Sequence, residues 1–198
     1  MDKEDKRYQK AEKRIKKSFL TLMAEVGFDA VTVTDIIKEA NVNRTTFYSH
    51  YKDKYDLMEQ VEDEFWNPML LYMMERMEQE NDFIENISKW ISYIVNYYYE
   101  NRTSLILFAG EKGNPNYWNH FSVKVQKLLN ETSMKKQLKI PVEYAIASFV
   151  GAASNMLMVW AKHGFQETPE EFAGIIYEIV KNIPQNILAN RRDTDVDN

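Results

Sequence analysis

The stretch Thr34 to Tyr51, TDIIKEANVNRTTFYSHY, constrains the fold more than any other part of the chain. Ile36 and Ile37, with Ala40 one turn on, give Asp35–Ala40 the pattern of one short helix with a single apolar face. Thr34 before it is a good N-cap, because its hydroxyl can accept an amide proton that a helix start leaves without a partner. Asp35 suits the positive end of the helix dipole. Asn41-Val42-Asn43 leaves room only for a tight turn, in which the apolar Val42 is expected to plug into a small core. Asn43 caps a second short helix, Arg44–His50. At roughly 100° per residue, Phe47 and Tyr51 fall on one side of it and Thr45 and Ser49 nearly opposite. Tyr48 with Arg44, and Thr46 with His50, flank the outer side. One side packs, and the other is small, hydroxylated and charged. This is the pattern of a helix-turn-helix, the arrangement that lays its second helix in the major groove of DNA.

The flanking segments supply a support for such a unit. Over Tyr8 to Val26, Ile15, Phe19, Leu22, Met23 and Val26 form one stripe at helical spacing, and Gly27 is suited to end that helix in the left-handed conformation. Lys10, Arg14 and Lys17 lie on its opposite face. The charged arm Asp2–Arg7 is expected to be disordered. After the motif, Asp53 caps a long helix with Asp56 at the third position, and Leu57, Val61, Phe65, Met69, Tyr72 and Met73 recur along it to about Glu80. Pro68 removes one backbone hydrogen bond, so a kink is expected over Glu64–Pro68.

The rest reads as helices only. One starts at Asp82 with Glu85, a short one covers Ser104–Phe108, one is capped by Asn114-Pro115 and reaches about Asn130, and one runs from Pro141 to Gly164. The last opens on Thr168-Pro169-Glu170-Glu171, which combines a cap, a proline at the first position and a glutamate at the third, and runs to about Leu188. Arg191 to Asn198 is a polar tail. With 6 Gly, 5 Pro and no strand pattern, an all-β fold is excluded. The expected architecture is all-α with about nine helices: a three-helix head over 1–54 and a larger helical body over 55–198. Tyr144 to Ala161 is 18 residues without a charge, the length of a membrane span. It carries Ser148, Ser154 and Asn155 and is flanked by amphipathic helices, so the expectation is a helix buried in a helical body or an interface, with no membrane.

Charge and chemistry narrow the function class. Residues 1–54 carry 12 Lys and Arg against 9 Asp and Glu, a net of +3, while residues 55–198 carry 13 against 21, a net of −8. A basic head on an acidic body suits contact of the head alone with a polyanion, although a solvated lysine-rich helix would show the same excess. There is no Cys, so no disulfide framework or cysteine metal site exists. His50, His120 and His163 have no metal-ligand spacing, and there is no glycine-rich phosphate loop or serine nucleophile motif. No enzyme, no metal and no cofactor are expected. Residues 1–17 lack the apolar core of a secretory signal, so a cytoplasmic location is expected.

From Ile15 to Leu57 the chain resembles the DNA-binding domain of TetR-type (tetracycline-repressor-like) transcriptional regulators. The resemblance rests on Gly27-Phe28, Val33-Thr34-Asp35-Ile36, Ala40-Asn41-Val42, Thr46-Phe47-Tyr48, His50-Tyr51, and Lys54 followed by Leu57. The order and length of the later helices resemble that family's regulatory domain. Where the family has a glycine or similarly small residue after the basic position, this chain has Thr45. The resemblance implies a homodimer through the last two helices, about 141–163 and 169–188, on a roughly palindromic operator in double-stranded DNA. It also implies DNA-contacting roles for Thr34, Arg44, Thr45, Thr46, Tyr48, Ser49, His50 and Lys54. Thr34 and Lys54, both at helix starts, are expected on phosphates. Arg44 is expected on a guanine edge, with Thr45 and Ser49 reaching bases or a thymine methyl.

Bodies of this family usually hold a ligand among their middle helices. Tyr72, Met73, Trp90, Tyr93, Tyr97, Phe108, Tyr117, Trp118, Phe121, Met156 and Trp160 are the candidates to line such a pocket for a small apolar or aromatic molecule. The same residues at helical spacing also make ordinary core. The expected function is a repressor released from its operator by a small ligand. The alternative is a DNA-binding regulator or co-activator governed by a protein partner.

Overall fold

The structure is a computed structural model that describes residues 3–79, 83–131 and 138–181. Among these residues it contains nine helices and no strand: α1 (Lys3–Val26), α2 (Val33–Ala40), α3 (Arg44–His50), α4 (Lys54–Gln79), α5 (Phe83–Glu100), α6 (Arg102–Ala109), α7 (Tyr117–Glu131), α8 (Val142–Lys162) and α9 (Pro169–Val180). The all-α expectation holds. The chain forms two compact units, one of Met1–Trp66 with Ser104–Tyr117 and one of Asn67–Thr103 with Trp118–Asn198. The head unit therefore takes in, besides residues 1–54, the first half of α4 and most of α6.

In the head unit, Ile15, Phe19 and Met23 on α1 are fully buried, as is Ile36 on α2 and Phe47 on α3. The same apolar set that gives each helix its stripe therefore closes one core. α1 ends at Gly27, whose φ of +83° is the left-handed conformation that glycine adopts without strain. The helix begins earlier than the sequence reading placed it. Lys3 to Arg7 are helical rather than a disordered arm, and they extend α1 by more than a turn.

α2 also begins earlier. Its N-cap is Thr32, not Thr34: the Thr32 hydroxyl accepts from the Asp35 amide, and the Asp35 carboxylate accepts from the Thr32 amide at 3.1 Å. The acid at the third position decides between the two threonines, because a cap at Thr34 would put Ile37 there and leave the box open. Thr34 is then an exposed residue of the first turn. Asn41 ends α2 with φ 48°, and its amide bonds back to Ile37 and Lys38. Val42 and Ile37 are only half-buried, so the turn's apolar residue does not plug fully into the core.

In α4, the Asp53 carboxylate accepts from the Tyr55 and Asp56 amides, each at 2.8 Å, while Asp56 takes the Lys52 amide. The helix continues through Pro68, which leaves the Glu64 carbonyl without its helical donor.

In the body unit, α5 packs along α9. α8 buries Val142, Ala145, Ile146, Leu157 and Trp160, and Trp160 stacks on Phe172 of α9 with ring centroids 4.2 Å apart. By length and composition α8 is a helix that could cross a membrane; here one of its faces belongs to the core of the body unit. α9 starts with the expected box, Thr168 and Glu171 exchanging bonds around Pro169. The last expected segment, 182–188, and the Asp82 helix start lie outside the described residues.

Candidate nucleic-acid interface

α3 is held by four devices that leave its outer face free. Asn43, the N-cap, accepts from the Thr46 amide at 2.7 Å. Phe47 anchors the helix in the core, in edge contact with Tyr48 and tilted against Tyr51. From α1, Arg14 donates to the carbonyls of Ala40 and Asn41, which neutralises the negative end of α2 and fixes the turn. Tyr8 donates to the Ser49 carbonyl at 3.2 Å and lies against the His50 ring at 3.7 Å between centroids.

The side chains assigned outward are largely outward. Arg44, Thr45, Tyr48, Ser49 and Thr34 are exposed, and Thr46 and His50 are half-buried. The Arg44 guanidinium lies 5.8 Å from the Tyr48 ring centre, a cation–π arrangement that keeps both residues on one side of the helix. The Ser49 hydroxyl donates back to the Thr46 carbonyl, so its lone pairs are what it presents outward.

Two residues sit differently from what their sequence positions imply. His50 is wedged between Tyr8 and Tyr51, and its Nε2 is buried without a hydrogen-bond partner. Burial lowers its pKa below the ordinary 6.5, with Glu12 opposing and Lys16 adding to the shift. The imidazole is therefore neutral at pH 7 and offers a phosphate no charge. Lys54 has all three ammonium donors engaged, to the carbonyls of Phe28, Asp29 and Val31 at 3.0, 2.9 and 2.9 Å. The same ammonium lies 4.9 Å from the Phe28 ring centre. In this arrangement Lys54 ties α4 to the α1–α2 connector.

Beside α3, residues Arg7, Tyr8, Ala11 and Arg14 of α1 form one wall of an open groove. Asn41, Val42 and Asn43 of the turn and Thr46, Ser49 and His50 of α3 form the other. None of the α1 residues was among the sequence candidates, since the arm ahead of Tyr8 has no apolar stripe to mark it as helix.

The body unit holds a second candidate site, an apolar cavity of about 220 Å³. Of the sequence candidates, Met73, Trp90, Trp118 and Phe121 line it. Tyr72 stacks instead on Tyr93 at 4.0 Å, and Tyr97 follows Tyr93 along α5, outside the lining. Trp160 is packed among Tyr99, Phe165 and Phe172, and Met156 also lies outside the lining. Phe108 and Tyr117 belong to the head unit, where the Tyr117 hydroxyl accepts from the Trp66 indole at 2.8 Å. Aliphatic residues that the sequence reading did not single out, such as Ile94, Leu128, Ile146 and Val150, complete the wall, and no charged side chain is among its described residues.

Comparison with known proteins agrees with both units. Residues 20–61 match the family model described as bacterial regulatory proteins of the tetR family, and residues 85–182 match one described as a transcriptional regulator C-terminal region. The chain is 34% identical over 56 residues to the uncharacterised HTH-type transcriptional regulator YxbF of Bacillus subtilis, a match spanning 28% of this chain and 15% of that protein. It is 24% identical over 123 residues to DhaS of Lactococcus lactis, the HTH-type dhaKLM operon transcriptional activator, spanning 54% of this chain and 66% of the relative. The fold is shared with a TetR-family transcriptional regulator from Syntrophomonas wolfei at a TM-score of 0.67 and 18% identity, over 88% of this chain and 95% of that one. It is shared also with FadR of Bacillus subtilis, solved with stearoyl-CoA, at a TM-score of 0.59 and 16% identity over 84% and 96%. The two family models match in tandem, the first on the helices that present α3 and the second on the helices that enclose the cavity, and the chain belongs to the TetR family of DNA-binding transcriptional regulators.

Proposed function

We propose that this protein is a repressor that binds a roughly palindromic operator as a homodimer and leaves it when a compact apolar ligand occupies the body unit. The outer face of α3 is the reader in this scheme. Arg44, Thr45 and Tyr48 are exposed on a helix fixed at its cap, its core side and its last turn, which is the preorganisation that base reading needs. Thr34, in the first turn of α2, meets a phosphate, while Lys54 acts by holding the connector.

The observation that carries the ligand-released form is the cavity. An apolar cavity of 150 Å³ already accepts benzene, so about 220 Å³ takes a somewhat larger hydrocarbon skeleton. A charged group inside it would lose its hydration without gaining a partner among the described residues. FadR of Bacillus subtilis, crystallised with stearoyl-CoA, is a precedent for ligand binding by this fold. Dimerisation is supported by the apolar residues that remain exposed on the last two helices, Tyr144 and Val159 on α8 and Ile175 and Ile179 on α9. A ligand that binds the DNA-incompetent state more tightly would release DNA by shifting the population. A second reading, an activator or a regulator governed by a protein partner, is favoured by the DhaS relative, which is an activator.

The test is selection of duplexes from a random pool by the full-length protein, followed by titration of small neutral hydrocarbons and alcohols into the complex. A two-fold symmetric consensus and release by at least one such compound support the proposal. An asymmetric consensus sinks the symmetric dimer, and a complex indifferent to every compound sinks the ligand-released form in favour of the partner-governed one.

A further inference from the structure

The groove beside α3 has a composition of its own. Arg7 and Arg14 contribute guanidinium groups to its walls, and none of the described residues that line it is an Asp or Glu. This is notable on a helix that also carries acids, since Asp5 and Glu12 lie within the same first turns of α1. Arg14 donates from Nη2 to the two carbonyls that end α2, which fixes its charge in place. Arg7, one helical repeat earlier, is exposed and has no ion pair among the described residues. Tyr8 closes the groove at its far end through Ser49 and His50. Neutral His50 adds no charge there but leaves a buried ring nitrogen unpartnered.

A helix lying in the major groove has a sugar-phosphate backbone on each flank. The wall that α1 builds along one flank of α3 is therefore positioned to meet that backbone. Resting on the assignment of α3 as the DNA-reading helix, we propose that this groove is a cradle for the DNA backbone, in which Arg7 binds a phosphate and the fixed charge of Arg14 adds to the attraction. The planar guanidinium suits two phosphate oxygens at once, and polar Asn41 and Thr46 border the same path. The ligand is a phosphodiester, and its source is the duplex that α3 reads, not a free anion.

The experiment uses the full chain, the duplex it selects from a random pool, and a scrambled duplex of the same length, titrated with potassium chloride. Arg7→Ala is expected to reduce the slope of log affinity against log salt by about 1 on both duplexes, since a phosphate contact carries no sequence information. Arg7→Lys should restore the slope. Lys13→Ala, exposed on α1 but outside the groove, should leave it unchanged. A slope for Arg7→Ala equal to that of the unaltered protein overturns the proposal, and so do equal losses for Arg7→Ala and Lys13→Ala. Displacement of DNA by inorganic phosphate beyond that by chloride at equal ionic strength would assign the groove to a free anion and also overturn it. If the unaltered protein selects no duplex, the DNA-reading assignment itself falls, an outcome distinct from binding that ignores Arg7.

Discussion

Asn114 donates from its side-chain nitrogen to Oε1 of Glu62 at 2.8 Å, and Glu62, midway along the head half of α4, has no exposed surface. The loop that carries Asn114 is itself fixed. Its Lys112 carbonyl accepts from the Phe28 amide at 2.8 Å, and a Cβ on Gly113 would run into the Phe108 carbonyl. A carboxylate is rarely buried in full, because its lost hydration must be replaced by donors.

The consequence is measurable. Asn114→Leu keeps the branched side-chain skeleton but strips a donor from the buried carboxylate, and should destabilise the protein by roughly 1–3 kcal/mol. Asn114→Asp sets two acids together and should cost more. Urea denaturation checks both, and an unchanged midpoint for Asn114→Leu would show that Glu62 does not depend on this bond.

Lys54 gives a second stability prediction. Its ammonium satisfies three carbonyls of the α1–α2 connector, so Lys54→Met should lower stability by about 2–3 kcal/mol. DNA binding would weaken through displacement of α2 and α3. A phosphate-binding lysine would behave in the opposite way, with an unchanged unfolding midpoint and a salt dependence shallower by about one unit.

These two residues show where the sequence was legible and where it was not. Local signals were readable: the Asn43 cap, the Gly27 stop, the Thr168 box and the inward Phe47 all follow from spacing within a few residues. Thr32 was readable too, since Asp35 three residues on closes its box and nothing closes one for Thr34. Partners far apart in sequence were not. Lys54 finds carbonyls more than 20 residues back, Asn114 finds Glu62 across 52, and Lys16 reaches Glu64 across 48. In the body, aromatic residues marked the helices but only part of the cavity wall, Trp90, Trp118 and Phe121. Whether Tyr93 or Ile94 faces inward depends on which face of α5 meets its neighbours, and a helix with apolar residues on several sides leaves that open.

Arg44 separates reading from attraction. Arg44→Ala should cost roughly 1–3 kcal/mol on the selected duplex and much less on the scrambled one, because a base-edge contact is made only at its own base pair. Competition binding at one salt concentration measures the ratio. Equal losses on the two duplexes would move Arg44 from the bases to the backbone.

His50 sets a pH dependence. Its folded-state pKa lies below the unfolded value near 6.5, chiefly through burial, so the unfolded chain binds the proton more readily. Stability contributed by the neutral ring is present above the unfolded value and is lost as pH falls from there through the lower folded value. Glu12 and Lys16 act on the ring from α1, and Arg7 and Arg14 share its groove. His50→Gln should flatten the fall in stability between about pH 7 and pH 5. Parallel curves for the two proteins would mean that the ring is hydrated when folded.

The cavity yields the last prediction, which concerns both size and charge. Ala153 lies on the cavity wall, and Ala153→Phe would place a ring into the space of about 220 Å³. A ring that fits this space should leave the melting temperature unchanged or raise it, whereas overfilling a packed core would cost about 1–3 kcal/mol. Trp90 and Trp118 line the same cavity and report occupancy through their fluorescence. With the unaltered protein, naphthalene should shift that emission and raise the melting temperature, while 2-naphthoate, the same skeleton with a carboxylate, should do neither. The carboxylate would surrender its hydration to a wall with no cation among its described residues. In Ala153→Phe the naphthalene response should vanish while affinity for the selected duplex is kept. Equal responses to the two compounds would disprove a neutral site, and an undiminished response in the variant would place the ligand somewhere other than this cavity.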